Sequence, residues 1–439
     1  MFISNGAETL FCKEFTRTPF LYVLDEFDVI TMGRNKEYSG YKAFQYLEPG
    51  FDYMEYELCR EFDRVPPYFV PLSKTEEERF EEIVEKSILI DLHEHPVLWP
   101  EDMSQALEFQ HLGRNFLAYE ALSVSGLDCV FDNLMDGTAY ITSFMGWKWS
   151  DIIHDIGIRL SDIHHQEMVI PCLRVRDIKD AHENGRIALV LCLESATPIE
   201  NELDRVDVLY GLGVRSMGVC YSESNMLGGG MGETDPSAGL TDFGYDVVKR
   251  MNKLGMLVDV AHANDKTAIG AVEASDKPVY NSHSGPASIA QGHIHGDEAL
   301  QALAEKDGLL GVGGAGRGLS TERNPLGSIE SYMECVEHCV DLMGIDHVGC
   351  GPDTLYGNHQ GLYEYWFARP LGHHERPGGR PRARRPLPPG VEDPGYVRGL
   401  ENPNEFVNIP RWMIRNGYSD AEISKIIGLN ALKMLERVW

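Results

Sequence analysis

Thr241-Asp-Phe-Gly-Tyr-Asp-Val-Val-Lys-Arg-Met-Asn-Lys-Leu-Gly-Met-Leu-Val-Asp-Val-Ala-His262 reads as a helix, a turn and a strand in succession. Thr241 and Asp242 can cap the first turn with side-chain oxygen. Val247, Val248 and Met251 share one helical face, the spacing of a buried stripe. Gly255 ends the helix, because the residue just past a last turn is commonly left-handed and glycine takes that conformation freely. Met256 to Ala261 is then a short apolar run rich in valine, and it ends in His262. A strand apolar on both faces belongs to a parallel sheet covered by helices.

Outward from this stretch the unit recurs. Strand candidates lie at 88–93, 127–132, 187–194, 214–220, 256–262, 278–283, 308–313 and 347–352. Helix candidates lie between them, near 101–123, 149–166, 198–211, 241–254, 264–274, 296–306 and 325–343. Eight such units favour a closed barrel over an open sheet. The expected fold is α/β, a (β/α)₈ TIM-type barrel with an N-terminal extension. Residues 1–75, rich in aromatics and Pro without a clean period, are the extension. Residues 76–439 form the barrel domain, opened by a helix from Thr75 to Lys86 with Ser73 as its cap. A Pro/Arg-rich loop is inserted at about 369–394, and Ile423, Ile426, Ile427, Leu432 and Met434 of a last helical stretch can face the barrel.

Composition narrows the partners. The chain has 439 residues, 39 basic and 68 acidic, for a formal charge of −29. Such a chain repels phosphate backbones and anionic lipid, which argues against nucleic acid and membrane partners. Met1 to Cys12 does not read as an export signal, and no run approaches eighteen apolar residues. The nine scattered cysteines read as reduced thiols, so a cytoplasmic location is expected.

A barrel places its chemistry at the C-terminal ends of its strands. His93 and His95 follow Ile88–Leu92, Glu194 ends Ala188–Leu193, His262 ends Met256–Ala261, His283 ends Pro278–Ser282, and Asp353 follows Val348–Gly351. Two histidines two apart on a strand point to one side. Neutral imidazole suits zinc and similar divalent ions. A carboxylate from another strand, Glu194, can bridge two ions, with His262 and His283 completing the coordination of the second ion. Asp353, at the edge, can take a proton from water acidified by the metal. The expected cofactor is therefore zinc, as two ions, or another divalent metal. Two other groupings read more plainly. Cys335, His338 and Cys339 belong to an apolar core helix, and Gly228–Gly230 is a flexible loop near the site mouth without the Lys-Ser/Thr of a phosphate loop.

The chain resembles the membrane (renal) dipeptidase family of zinc peptidases, within the amidohydrolase superfamily. The resemblance rests on Asp91-Leu-His-Glu-His-Pro96, Gly213-Val-Arg215, Gly239-Leu-Thr-Asp-Phe-Gly244 through His262, Ser282-His-Ser284, Ile345-Asp-His-Val-Gly349 with Gly351 and Asp353, and Tyr396-Val-Arg-Gly-Leu400. It implies a (β/α)₈ barrel, often dimeric, that hydrolyses dipeptides. It implies His93 as ligand of a first ion, Glu194 as the bridge, His262 and His283 as ligands of a second, and Asp353 as the acid–base group.

Three departures stand out. The family's His-x-Asp is here His93-Glu94-His95. Its strand-four histidine, which holds the substrate and the developing oxyanion, aligns with Tyr221. Its arginine after strand six, which grips the substrate's free carboxylate, aligns with His293, with His295 two residues on. Tyr221 and His293 are thus the substrate-binding candidates. Two of the departures fall on substrate recognition, so hydrolysis with changed specificity is expected. The expected substrate is a dipeptide or small amide; a different amide, an ester, a lactone or a decarboxylation is the alternative. A non-catalytic binding protein is disfavoured, since every ligand position holds a competent residue.

Overall fold

Thr241 caps its helix as its position suggests. Its side chain accepts from the Gly244 amide, the helix runs Asp242–Leu254, and Gly255 ends it at φ 77°. Val247, Val248 and Met251 are buried. In the computed structural model the described residues are 36–106, 108–109, 114–134, 148–235, 237–292, 294–314, 316–356, 387, 389–392 and 394–439. The backbone of a small hairpin, Leu21–Val23 with Val29–Thr31, is also described.

Eight strands of the central sheet make the barrel ring: β1 (Ile90–His95), β2 (Cys129–Asn133), β3 (Ile187–Leu193), β4 (Val214–Gly218), β5 (Leu257–Asp259), β6 (Tyr280–Pro286), β7 (Leu309–Val312) and β8 (Val348–Cys350). Each pairs in parallel with the next. At the seam, Thr354–Leu355 adds in parallel to β1 opposite Glu94 and His95. The chain thus closes its ring with the segment that leaves β8. Each strand candidate in the sequence meets one of these strands.

Two buried clusters separate the faces of the strands. Ile90, Leu92, Cys129, Phe131, Ala188, Val190, Cys192, Leu257, Tyr280 and Leu309 fill the interior. Leu432, Met434, Leu435 and Val438 of the last helix, Asn430–Val438, join them and plug the barrel floor. Val130, Leu189, Leu191, Val258, Leu310 and Val348 pack outward against the helices. This alternation is why the strands read as continuous apolar runs.

One helix expectation is corrected. Among the described residues near 101–123, Met103–Gln105 is a 3₁₀ turn, Ala106, Glu108 and Phe109 are helical, residues 114–118 are not, and a second helix runs Tyr119–Val124, so the single long helix expected there is broken. Trp99, Ala106 and Phe109 bury together as a separate cluster. The Leu98 amide donates to the Phe116 carbonyl and the Ala118 amide to the Pro96 carbonyl, which ties residues 116–118 to the segment that leaves β1.

Residues 36–73 lie against the barrel. Lys36 Nζ reaches Asp128 at 2.7 Å, Tyr41 and the Phe44 amide both donate to Asp162, and the Val70 amide donates to Asn408. Ser73 caps the helix Lys74–Lys86 in a reciprocal box with Glu76. The Arg/Pro-rich loop at about 369–394 lies almost wholly outside the described residues. Among the described residues no helix is long and apolar enough to cross a membrane. The eight cysteines among them are buried free thiols.

Candidate metal centre

The site begins with a slip in β1. Ile90 and Leu92 face the interior. Strict alternation would then turn Glu94 inward and both histidines outward. The ladder with β2 shifts here, Asp91 facing Val130 but Glu94 facing Asp132, three residues against two. The extra residue reverses the parity, and His93 and His95 turn inward. Asp91 accepts from the His93 amide at 3.1 Å and braces the bulge. The β6–β7 and β3–β4 ladders slip in the same way beside His283 and Glu194.

The remaining side chains arrive from strand ends. Glu194 follows β3 directly. Asp259, the last residue of β5, accepts from the amides of Ala261 and Ser282 and so fixes the turn that carries His262. His262 and Asp353 both take left-handed backbone, φ 62° and 63°. Such conformations in non-glycine residues gather at functional sites.

The six groups meet. Nε2 of His93 and Nε2 of His95 are 3.2 Å apart, and those of His262 and His283 are 3.1 Å apart. Glu194 Oε1 stands between the pairs, 2.8 Å from His262, 3.6 Å from His283 and 3.7 Å from His93. Asp353 Oδ1 lies 3.5 Å from His93 and 3.8 Å from His95. Three overlapping groups can hold a divalent ion: His93 with His95 and Glu194, Glu194 with His262 and His283, and His93 with His283 and Asp353.

The electrostatics suit that chemistry. Burial, and then the neighbouring imidazoles, hold His93 and His283 well below the usual histidine range. Burial brings His95 down to about 4. These rings are neutral near pH 7 and keep a lone pair for a ligand bond. Their second nitrogens are occupied. Nδ1 of His95 meets the Asn133 carbonyl at 3.2 Å, and Nδ1 of His283 meets Ser282 Oγ at 2.9 Å. Nδ1 of His93 lies 2.8 Å from the Asn133 amide group and 3.3 Å from Ser282 Oγ. A half-turn of that amide lets Oδ1 accept from Nδ1–H and frees Nε2 for the centre. Two residues, Asn133 and Ser282, therefore orient three histidines, as outer partners of metal ligands do. This donor set fits a divalent ion.

Tyr221 stacks on the His262 ring, centroids 4.0 Å apart. His293 lies outside the described residues. His295 is buried and bonded through Nδ1 to Asp265 at 2.9 Å. Cys335 and Cys339 are core residues of the helix Ile329–Met343, and His338 meets Ser288. The sequence reading did not single out Asn133 or Ser282 as partners of the histidines. Their signal was present, since Asn133 ends a strand and Ser282 precedes His283.

The profile of the membrane dipeptidases (Peptidase family M19) matches residues 77–363, which span all eight strands. The dipeptidase tcpJ of Claviceps purpurea is 23% identical over 287 residues, 65% of this chain and 58% of that protein's length. The chain thus spans less than two thirds of that relative. An uncharacterized protein from the pqqA 5' region of Klebsiella pneumoniae is 29% identical over 276 residues, 61% of this chain and 88% of that one. Among solved structures, an amidohydrolase from Pseudomonas aeruginosa superposes with a TM-score of 0.65 at 24% identity, covering 82% of this chain and 99% of its own. A metallo peptidase from Rhodobacter sphaeroides, liganded with a phosphinate mimic of L-Ala-D-Ala, gives 0.59 at 18% identity, covering 81% and 100%. At such identities the two structures speak for the fold. The family match carries further: this chain belongs to the membrane dipeptidase family, Peptidase family M19.

Proposed function

We propose that the protein is a metal-dependent hydrolase that cleaves a dipeptide or a small amide with water. The observation that carries this reading is the convergence of four imidazoles and two carboxylates from five strand ends. His93 and His95 would hold one ion, His262 and His283 a second, and Glu194 both. Zinc suits imidazole and carboxylate ligands in such numbers. Ions so held supply Lewis-acid polarisation of a carbonyl and bring the pKa of water toward neutrality.

The chain's own residues supply the rest. Asp353 is the most open of the six, its side chain 16% exposed. There Oδ1 would take the proton of the attacking water and return it to the leaving nitrogen. Tyr221 would offer its hydroxyl to the substrate oxygen as charge develops on it. His293 would hold the far end of the substrate. Residues 76–439 act in this reading as one barrel domain with 1–75 as its extension, in a cytoplasmic homodimer.

A second reading keeps the metal chemistry and changes the substrate to another amide, an ester or a lactone. It is favoured by Tyr221 and His293 standing where the family carries His and Arg. A neutral imidazole grips a carboxylate less well than a bidentate guanidinium. Elemental analysis beside a panel of L,L- and L,D-dipeptides separates the readings. About two equivalents of zinc with dipeptide turnover supports the first. Metal without dipeptide turnover selects the second, and a protein that takes up no metal on reconstitution refutes both.

A further inference from the structure

Glu194 and Tyr221 come from neighbouring strand ends, and the segments that carry them run together. Gly218, the last residue of β4, lies so near the end of β3 that a Cβ there would come within 2.0 Å of the Glu194 carbonyl. Only a residue without a Cβ permits that approach. The chain passes Val219 and Cys220, reaches Tyr221 against His262, and then doubles back to Gly228. Asn225 lies within that loop.

Both ends of the Asn225 amide are used. Its Oδ1 accepts from the Leu227 amide at 2.8 Å and from the Gly228 amide at 3.3 Å. Its Nδ2 donates to the Val219 carbonyl at 2.8 Å and lies 3.5 Å from Ser195 Oγ and 3.4 Å from Thr197 Oγ1. These partners fix the orientation of the amide, since a half-turn would set oxygen against the Val219 carbonyl and NH₂ against two N–H groups. Val219 and Ser195 are buried, so water does not take the place of Asn225 there. The far side of the loop is pinned as well. The Gly228–Gly230 run, which reads in the sequence as a flexible loop, is buried. A Cβ on Gly229 would come within 2.5 Å of Asn264 Nδ2, and one on Gly230 within 2.2 Å of the Tyr221 carbonyl.

We propose that Asn225 is a positioning residue for Tyr221. By donating to the Val219 carbonyl, two residues before Tyr221, it holds that ring on His262. By closing the loop beside Ser195 it keeps the ring in register with the segment that carries Glu194.

The inference rests on the reading of Tyr221 as the group that meets the substrate oxygen, and its test has a readout apart from turnover. Asn225→Asp keeps an acceptor for the two loop amides and loses the donor to Val219. Asn225→Ala loses both. Fluorotyrosine labelling gives Tyr221 a fluorine resonance, identified by its absence in Tyr221→Phe, that reports the place of the ring. In both Asn225 variants that resonance is expected to move toward the position of an exposed tyrosine, with kcat down about a hundredfold. Tyr221→Phe is expected to cost little further in either background, because one substitution already displaces what the other removes. Should Asn225→Ala not fold, Asn225→Asp carries the test. A Tyr221 resonance that keeps its wild-type position in Asn225→Asp overturns the proposal. So does full additivity with Tyr221→Phe, because Asn225 would then act elsewhere. If Tyr221→Phe alone turns over like wild type, the role of Tyr221 falls, and the fluorine spectra still decide whether Asn225 places the ring.

Discussion

At the scale of single residues, the six side chains divide by what they touch. Glu194 lies within 3.7 Å of three imidazoles, whereas Asp353 reaches the group from its more open side. Their substitutions should therefore separate. Glu194→Gln or His262→Ala is expected to lose metal and activity together. Asp353→Asn is expected to keep its metal, by elemental analysis, and lose at least about a hundredfold in kcat. An Asp353→Asn enzyme that turns over normally would remove the acid–base role. Much of this set was legible in the sequence, because histidines and carboxylates at strand ends stand out against apolar runs. What orients them was not. Asn133 and Ser282 meet the far nitrogens of His93, His95 and His283, and no spacing rule marks a residue that touches such a ring from behind.

At the scale of elements, the eight strands were legible because buried parallel strands are continuous in apolar composition. The bulge in β1 was not. It changes which residues face inward without changing the composition at all, so His93-x-His95 is readable as a pair while its facing depends on one slipped hydrogen bond. The stretch near 101–123 is read as one helix but is broken, since Ala106 and Phe109 are helical and bury against Trp99 in a cluster of their own, apart from the helix Tyr119–Val124. Another element invisible to periodicity is the strap of residues 64–77 across 402–411. Glu405 accepts there from the amides of Tyr68 and Asn402. Burial pushes its carboxyl up to about 7, against the pull of those amide donors. A folded pKa above the unfolded value of 4.5 means that its contribution to stability is present below about 4.5 and lost as pH rises through 7. Urea midpoints of Glu405→Gln relative to wild type should thus shift in favour of the variant between pH 4.5 and pH 8. A flat difference across that window would show that the carboxyl titrates normally.

At the scale of the whole molecule, the two ends of the barrel do separate work. The base carries Asp128, which takes Lys36 at 2.7 Å and His182 at 3.0 Å, with the Lys36 and Asp128 side chains 0% and 3% exposed. Lys36→Ala leaves a buried carboxylate short of its main partner, a loss of about 3–5 kcal/mol. The expected outcome is a lower Tm with kcat/KM unchanged at a temperature where the protein is folded. A fall in kcat/KM would mean that base and site are coupled. The opposite end carries the six groups, and there the seam between β8 and β1 has a consequence for the order of assembly. Asp353 sits immediately before Thr354–Leu355, the pair that zips onto β1 beside His95. His93 and Asp353 are 260 positions apart in sequence and become neighbours only when that last pair docks. A chain with that last pair undocked can gather the histidines of the earlier strands but not Asp353. On the proposed reading the site is whole only once the ring is closed, so an unfinished copy would hold its imidazoles without the carboxylate meant to carry the proton.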